Sequence, residues 1–164
     1  MQAARDFLSK QSITSPSGRA SVAQRDFFDE STPPSLGTFD LAYDYTFYCA
    51  IEPSRRQEWG EVSAQSSLQK THNPPSKTNI FLVFFSVLQT MAKLIKPGGT
   101  LVTLIFPVVE KQGGPPFQVD IAEMRGILER NGFENCLLKP VAPEKSHKGR
   151  GGMEHLGVWK RTLE

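Results

Sequence analysis

The sequence has few cysteines, no long apolar run and almost no net charge, and each shortage excludes a class of protein. Two cysteines, Cys49 and Cys136, among 164 residues cannot build the disulfide framework of a small secreted domain. The longest apolar run, at residues 80–88, is far shorter than the roughly 20 residues that span a bilayer. A formal charge of +2 gives no field that would steer the chain onto nucleic acid or a membrane surface.

The remaining bulk properties describe one loop-rich domain. A chain of 164 residues can bury a core, although its hydrophobic fraction of 38% is somewhat low. Twelve prolines and thirteen glycines indicate many loops. The opening ten residues, MQAARDFLSK, lack the apolar core of a secretory signal. We therefore expect a soluble, intracellular protein of the cytoplasm that binds neither nucleic acid nor membrane.

The clearest structural unit is MAKLIKPGGTLVTLIFP, at residues 91–107. Residues 91–96 are typical of a helix end, which the Pro-Gly-Gly at 97–99 stops. The apolar, β-branched run at 100–106 predicts a strand covered on both faces, as in a sheet between helix layers. Another strand is predicted at residues 39–43, and residues 20–28 are compatible with one that ends at Asp26, Phe27 and Phe28.

The C-terminal third continues the alternation of strands and helices. Residues 119–133 predict an amphipathic helix, because Ile121, Met124, Ile127 and Leu128 share one face, and Asn131-Gly132 closes it. Residues 134–141 and 154–164 read as two final strands. This order predicts the α/β class with a mostly parallel sheet.

Three segments together resemble one family. FDLAYDYTFYCAIEPSRRQEW begins at Phe39, LIKPGGTLVTLIFPV at Leu94 and GGPPFQVD at Gly113. They are similar to the thiopurine methyltransferase superfamily, and within it to the plant and fungal thiol and halide methyltransferases. GGPPF is the most specific signal, whereas KPGG occurs across many methyltransferases. The resemblance implies a Rossmann-like sheet and S-adenosylmethionine as the methyl donor.

The resemblance also implies where the cofactor lies. In doubly wound sheets, ligands bind at the carboxyl ends of the strands. There, Asp44, Tyr45 and Phe47 would line the cleft in which the methionine part of S-adenosylmethionine meets the acceptor. Asp26 and Phe27 would lie beside the adenine, one accepting a hydrogen bond from its amine and the other stacking on the base. This interpretation requires Tyr45 and Phe47 to line a cavity.

On the acceptor side, the resemblance implies a small thiol, thiocyanate or halide. Arg56 matches a family arginine that would orient an anionic acceptor through planar, charge-assisted hydrogen bonds. Pro115, Pro116 and Phe117 would form a rigid apolar lid. Because a thiolate or halide is already a strong nucleophile, no dedicated catalytic base is expected.

Other interpretations of the polar residues remain beside this one. Tyr43, Tyr45, Phe47 and Tyr48 could all be core aromatic residues; alternation along the strand turns about half of them inward, and Tyr45 and Phe47 are our choice for the cleft. Arg56 is also compatible with a helix surface. His147 and His155 lack a cysteine or carboxylate at metal-ligand spacing, so no metal site is expected. The basic run at residues 145–150 reads as a solvated loop. Asn73-Pro74-Pro75 matches part of a base-methyltransferase motif, but Ser76 replaces its aromatic residue.

The front half of the implied fold is missing from the sequence. Nothing before Asp26 supplies the family's glycine-rich loop or the acidic residue that holds the ribose. We therefore expect residues 1–164 to form a single partial methyltransferase domain whose sheet lacks its first strands and whose core is open. The alternative function is that of an inactive fragment or pseudoenzyme. In either case, we expect S-adenosylmethionine to bind weakly or undetectably.

Residues 62–89 interrupt the resemblance, and we interpret them as a retained intron. Val62-Ser63 can be encoded as a common intron start and Gln89 as a common intron end, and removing whole codons keeps the reading frame. The alternative is a genuine inserted loop. Sequencing of the transcripts is expected to find spliced messages without these codons; their retention in every message would contradict the hypothesis.

Overall fold

The computed structural model describes residues 6, 23–24, 26–28, 37–56 and 91–163. Within these ranges the strands are β1 (Phe39–Tyr45), β2 (Ile95–Ile105), β3 (Phe133–Pro140) and β4 (His155–Arg161), and the α-helices are α1 (Met91–Leu94) and α2 (Ile121–Arg130). Short 3-10 helices lie at Tyr48–Ala50, Pro53–Arg55 and Pro143–Lys145. No helix in these ranges is long and apolar enough to cross a membrane. The suspected insertion at 62–89 and Asn73-Pro74-Pro75 lie outside the described residues.

The four strands form one mixed sheet in the order β1-β2-β4-β3. β1 pairs with β2 in parallel, whereas β4 is antiparallel to both β2 and β3. The prediction of a mostly parallel sheet is therefore wrong for the described strands. The physical reason is that the connection from β3 to β4 contains no α-helix, so the chain turns back and β4 inserts between β2 and β3. β1, β2 and β3 consequently run in the same direction, and their carboxyl ends share one edge.

One face of this sheet carries the core. Alternate residues of β2, namely Leu101, Thr103 and Ile105, are buried on the same side as Trp159 of β4. The Trp159 indole donates a hydrogen bond to the Thr103 hydroxyl at 3.0 Å, so the buried polar atoms are paired. The apolar face of α2 belongs to the same core cluster, through Met124, Ile127 and Leu128.

The opposite face of the sheet is much more open. On β1, Leu41, Tyr43 and Tyr45 are 59%, 56% and 44% exposed. Their partners on β2, Val102 and Leu104, are only partly buried. Apolar side chains therefore line a sheet face that remains accessible to solvent.

The predicted helix at residues 119–133 is confirmed as α2. Its N-terminus is capped by the Asp120 carboxylate, which accepts hydrogen bonds from the amides of Ala122 at 2.7 Å and Glu123 at 3.3 Å. Asn131 is the C-cap, and Gly132 adopts a left-handed φ of +76°, a conformation that glycine tolerates without a steric cost.

The boundary between α1 and β2 differs from the prediction. The helix ends at Leu94 rather than near Lys96, because Ile95 already pairs with Phe39 of β1. The next pairs join Leu41 to Thr100, so the chain at 96–99 loops out of the ladder. The Pro-Gly-Gly segment thus forms an irregularity inside a strand instead of the end of a helix.

The suggested strand at residues 20–28 is not seen in its described part. Ala23, Gln24 and Asp26 have no regular structure, and Phe27 and Phe28 lie in a turn. The Asp26 carboxylate accepts a hydrogen bond from the Phe28 amide at 3.0 Å. Such a local bond between side chain and backbone stabilises a turn in competition with a strand.

Gly99 is the position in the irregular part of β2 where a side chain is least tolerated. A Cβ there would lie 2.6 Å from Cγ2 of Ile95 and 2.8 Å from the backbone oxygen of Lys96. We expect Gly99→Ala to lower the free energy of unfolding by about 1–3 kcal/mol in denaturant titrations.

Gly151→Ala is the matched control, because a Cβ at Gly151 would meet Pro143 at an ordinary 3.7 Å. This variant should stay within about 0.5 kcal/mol of the unmodified chain. Equal effects of the two substitutions would show that the close approach at Gly99 does not govern the stability of β2.

Candidate functional site at the carboxyl edge of the sheet

The end of β1 is held by a buried carboxylate. Asp44 is 3% exposed, and its two oxygens accept hydrogen bonds from the amides of Phe47 at 2.7 Å and Tyr48 at 3.2 Å. Between them, Thr46 adopts a left-handed φ of +57°, which is rare for a β-branched residue. The Cys49 thiol donates to the Thr46 carbonyl at 3.0 Å. Several contacts thus enforce a strained backbone at the carboxyl edge, the kind of position where functional sites concentrate.

The burial of this turn also affects its titratable side chains. Burial raises the pKa of the Cys49 thiol, and the nearby Asp44 carboxylate acts in the same direction. Burial likewise raises the pKa of Tyr48. The thiol is therefore less reactive than a free cysteine, since the thiolate is the nucleophilic form.

Phe27 and Phe47, two of the residues predicted to contact the cofactor, contact each other. The ring of Phe27 lies 4.9 Å from that of Phe47, and Phe47 is 39% exposed. Asp26 is exposed beside them, in the turn that ends at Phe28. Tyr45 follows Asp44 on the opposite face of β1, with its ring partly open to solvent. The structure thus brings Asp26, Phe27 and Phe47 together near the tip of the strand.

Arg56 is buried and tied to the segment that precedes α2. Its Nη2 donates to the Gln118 carbonyl at 2.7 Å, and its Nη1 lies 3.3 Å from the Glu123 carboxylate. The guanidinium also lies over the Tyr48 ring, 4.9 Å from the ring centre. These contacts exclude the interpretation of Arg56 as a plain surface residue.

A cleft of about 300 Å³ lies next to Arg56. It is lined by Pro53, Arg56, Lys111, Gly113, Phe117, Gln118 and Asp120. Lys111 holds the neighbouring loop, since its Nζ donates to the carbonyls of Gly113 at 3.2 Å and Pro116 at 2.8 Å. Two of the predicted acceptor residues, Arg56 and Phe117, therefore meet at one cleft. Pro115 and Pro116 belong to the adjoining loop without lining it.

Tyr45 and Phe47 do not line this cleft. The space beside Asp44, bounded by Tyr48, Thr103 and Ile105 among others, has no volume for a water molecule, and neither Tyr45 nor Phe47 borders it. The expected cavity at these two residues is not enclosed by the described part of the chain. Both side chains are exposed at the carboxyl end of β1, and we refer to them together as the open wall. The Cys49 carbonyl, two residues after Phe47, accepts a hydrogen bond from the amide of Phe117, a residue of the Arg56 cleft, at 2.7 Å.

The loop before β4 brings a cluster to Tyr45 that no motif in the sequence predicts. The Tyr45 hydroxyl lies 2.6 Å from Nε2 of His147, and Nδ1 of His147 lies 3.2 Å from a Glu154 carboxylate oxygen. The other Glu154 oxygen accepts from the His147 amide at 3.1 Å. Residues 145–150 were expected to be a solvated loop; the single acid that follows them, directly before the last strand, is the signal that would have pointed to a partner.

Metal binding finds no support in the described ranges. No group of three or more histidine, cysteine, aspartate or glutamate side chains lies close enough there to hold a metal ion.

Comparison with known proteins identifies relatives of the chain. No protein-family model matches this sequence. The chain is 37% identical to the Arabidopsis thaliana protein named "Probable thiol methyltransferase 2", over 87% of the chain and 48% of the relative. It is 32% identical to "Thiocyanate methyltransferase 1" of Arabidopsis thaliana and to the protein of that name from Brassica oleracea, in each case over 75% of the chain and 41% of the relative.

The sheet and these similarities agree with each other. The mixed four-strand sheet with few helices is consistent with a partial methyltransferase-like α/β fold. The chain is homologous to these plant thiol and thiocyanate methyltransferases over 75–87% of its length, in agreement with the predicted resemblance. It spans about half the length of the curated relatives that it matches.

The turn at the end of β1 should depend on Asp44. Asp44→Ala removes the acceptor for the amides of Phe47 and Tyr48 and leaves these N–H groups without their partner. We expect the free energy of unfolding, measured by denaturant titration, to fall by about 2–3 kcal/mol. Asp40→Ala on the same strand is the control, because its ion pair with Lys96 is exposed and should contribute little. A comparable loss in both variants would contradict the capping role of Asp44.

Proposed function

We propose that the chain takes part in the transfer of a methyl group from S-adenosylmethionine to a small thiol, thiocyanate or halide, on a Rossmann-like sheet. The observation that carries the proposal is the turn after β1, where Asp44 positions Tyr45 and Phe47 at the carboxyl edge of the sheet. The chain is also a homologue of thiol and thiocyanate methyltransferases. Ligands of α/β sheets bind at this edge.

The described residues fit one side of S-adenosylmethionine. Phe27 and Phe47 form a partly exposed aromatic pair on which an adenine can stack, and the exposed Asp26 carboxylate can accept a hydrogen bond from its amine. The Asp44 oxygens are occupied by backbone amides, so this residue would shape the wall rather than bind the cofactor through a free oxygen. When bound, the cofactor supplies an activated methyl group on a sulfonium.

The acceptor would lie between this wall and Arg56. The guanidinium provides a fixed positive charge at the cleft, although Glu123 at 3.3 Å offsets part of it. Phe117 lines the same cleft, and as part of the proposed lid it would help to exclude water from the reacting atoms. Alignment of the two reactants and exclusion of water are the main contributions required of the protein.

The second candidate is an inactive fragment or pseudoenzyme of the same family. It is favoured by the open wall at Tyr45 and Phe47, and by the chain's span of about half the length of its relatives. A single wall buries little of a cofactor, so we expect weak binding of S-adenosylmethionine in either case. The two candidates differ in whether any methylated product forms.

Calorimetry and product assays on the chain separate the two candidates. We expect weak or undetectable heat on titration with S-adenosylmethionine, but slow formation of methyl thiocyanate at high cofactor concentration. The complete absence of product from thiocyanate, iodide and a small thiol would support the inactive fragment. Tight, stoichiometric binding would show that the chain holds the cofactor more completely than the described wall implies.

Arg56→Lys tests the acceptor side. The substitution keeps the charge but removes the planar donor fork, so the KM for thiocyanate should rise about tenfold, which corresponds to about 1.4 kcal/mol. Arg55→Lys is the matched control, because the guanidinium of the exposed Arg55 lies over the Phe28 ring, 4.2 Å from its centre, and Arg55 does not line the cleft. An unchanged KM in a folded Arg56→Lys variant would remove Arg56 from the acceptor site.

A further inference from the structure

The cluster of Tyr45, His147 and Glu154 is not needed to shape the proposed cofactor wall, yet its atoms are aligned in a continuous chain. We propose that these three side chains form a proton relay that deprotonates thiol acceptors, an inference that rests on the proposed function. Tyr45 contacts the acceptor, and His147 and Glu154 act through it.

Glu154 supplies the electrostatic basis of the relay. Glu154 is 1% exposed. Burying a carboxylate costs free energy unless positive charge and hydrogen bonds compensate for the lost hydration. Arg150 provides part of this charge, but its Nη1 lies 3.6 Å away, beyond hydrogen-bond distance. His147 makes the closer contacts, through its amide at 3.1 Å and its Nδ1 at 3.2 Å. The buried carboxylate thus holds His147 through both of its oxygens.

The hydrogen bonds fix the direction of transfer. A carboxylate accepts hydrogen bonds, so Nδ1 of neutral His147 carries the hydrogen that points to Glu154. Nε2 is then an acceptor, and the Tyr45 hydroxyl donates to it across 2.6 Å. The partly exposed Tyr45 leaves its oxygen with a lone pair that can accept a hydrogen bond from the S–H group of a ligand.

The proposed step is balanced. As the acceptor sulfur forms its bond to the methyl group, the bond between that methyl group and the donor sulfonium would break, and its electron pair would stay on the donor sulfur, which would leave as a neutral thioether. The S–H bond of the acceptor would break as well, and the electron pair of that bond would remain on the acceptor sulfur. The proton would pass to the Tyr45 oxygen while the original phenol proton passes to Nε2 of His147. The products would be the methylated acceptor, the neutral donor thioether and an imidazolium paired with Glu154; the half-exposed imidazolium would then release the proton to water.

This relay matters for one class of acceptor. A cysteine-type thiol has a pKa of about 8.5, so only a few per cent of it is ionised at neutral pH. Thiocyanate and halide ions carry no proton to remove. A relay is therefore useful for protonated thiols and irrelevant to the anions.

Other charged or titratable groups also face the relay. Arg150 approaches Glu154 while its guanidinium lies 4.3 Å from the centre of the Phe106 ring. The Tyr43 ring lies 6.1 Å from that of Tyr45; burial raises the pKa of Tyr43, and the nearby Tyr45, Asp44 and Glu154 raise it further. Tyr43 consequently stays neutral when the relay operates near neutral pH.

The test compares two acceptors on the full chain. His147→Gln should lower kcat/KM for 2-mercaptoethanol by about 100-fold at neutral pH, the usual scale of general base catalysis, and leave thiocyanate methylation nearly unchanged. The loss of kcat/KM for 2-mercaptoethanol should disappear at about pH 10, where the thiol ionises without help. His155→Gln is the matched control; this histidine lies at the start of β4, outside the hydrogen-bonded chain, and should affect both acceptors equally little.

A second measurement is independent of turnover. Long-range ¹H–¹⁵N spectra should show His147 as the Nδ1–H tautomer. The Tyr45→Phe substitution should move the Nε2 resonance of His147 toward that of a free imine nitrogen. Equal loss of both acceptors in a folded His147→Gln variant, no loss of either, or an Nε2–H tautomer would overturn the relay. If the unmodified chain methylates neither acceptor, the proposed function fails, and the spectra still decide whether the relay geometry exists.

Discussion

The carboxyl edge of this protein depends on the interaction between the buried Asp44 carboxylate and the two backbone amides that follow it. These hydrogen bonds turn the chain sharply after β1 and hold Thr46 in a left-handed conformation. The turn places Phe47 against Phe27 and leads into the 3-10 helix whose Cys49 carbonyl anchors Phe117. Both sides of the proposed site are therefore fixed to one carboxylate.

The reversed last strand determines what meets this edge. Because β4 inserts between β2 and β3, the loop that precedes it returns to the end where β1 and β2 finish. Glu154 enters the interior immediately before β4, and His147 extends from the same loop to Tyr45. A cluster from distant parts of the sequence thus forms without a contribution from any helix.

The elements that could be predicted from sequence are those with a strong local pattern. The spacing of Met124, Ile127 and Leu128 and the Asn131-Gly132 end signal identify α2, and the β-branched run after Thr100 identifies most of β2. The loop at 96–99 was missed because it depends on strand register, which pairs Ile95 with Phe39 and is not encoded by neighbouring residues. The resemblance to a family indicated the residues of the open wall, but no sequence spacing connects Tyr45 to His147, since that contact depends on the position of β4. The placement of Arg56 and Phe117 at one cleft agrees with the geometry that their predicted roles require, whereas the roles themselves remain predictions.

The open face of β1 has a consequence for the behaviour of the chain in solution. Within the described part of the structure, β1 pairs on one side only, with β2, and presents Leu41 and Tyr43 to water. An unpaired strand edge beside exposed apolar side chains is a template for adding further strands. The fraction of the chain that self-associates will therefore depend on its concentration as well as on its sequence. Charged substitutions at Leu41 or Tyr43 would reduce this association without changing the core.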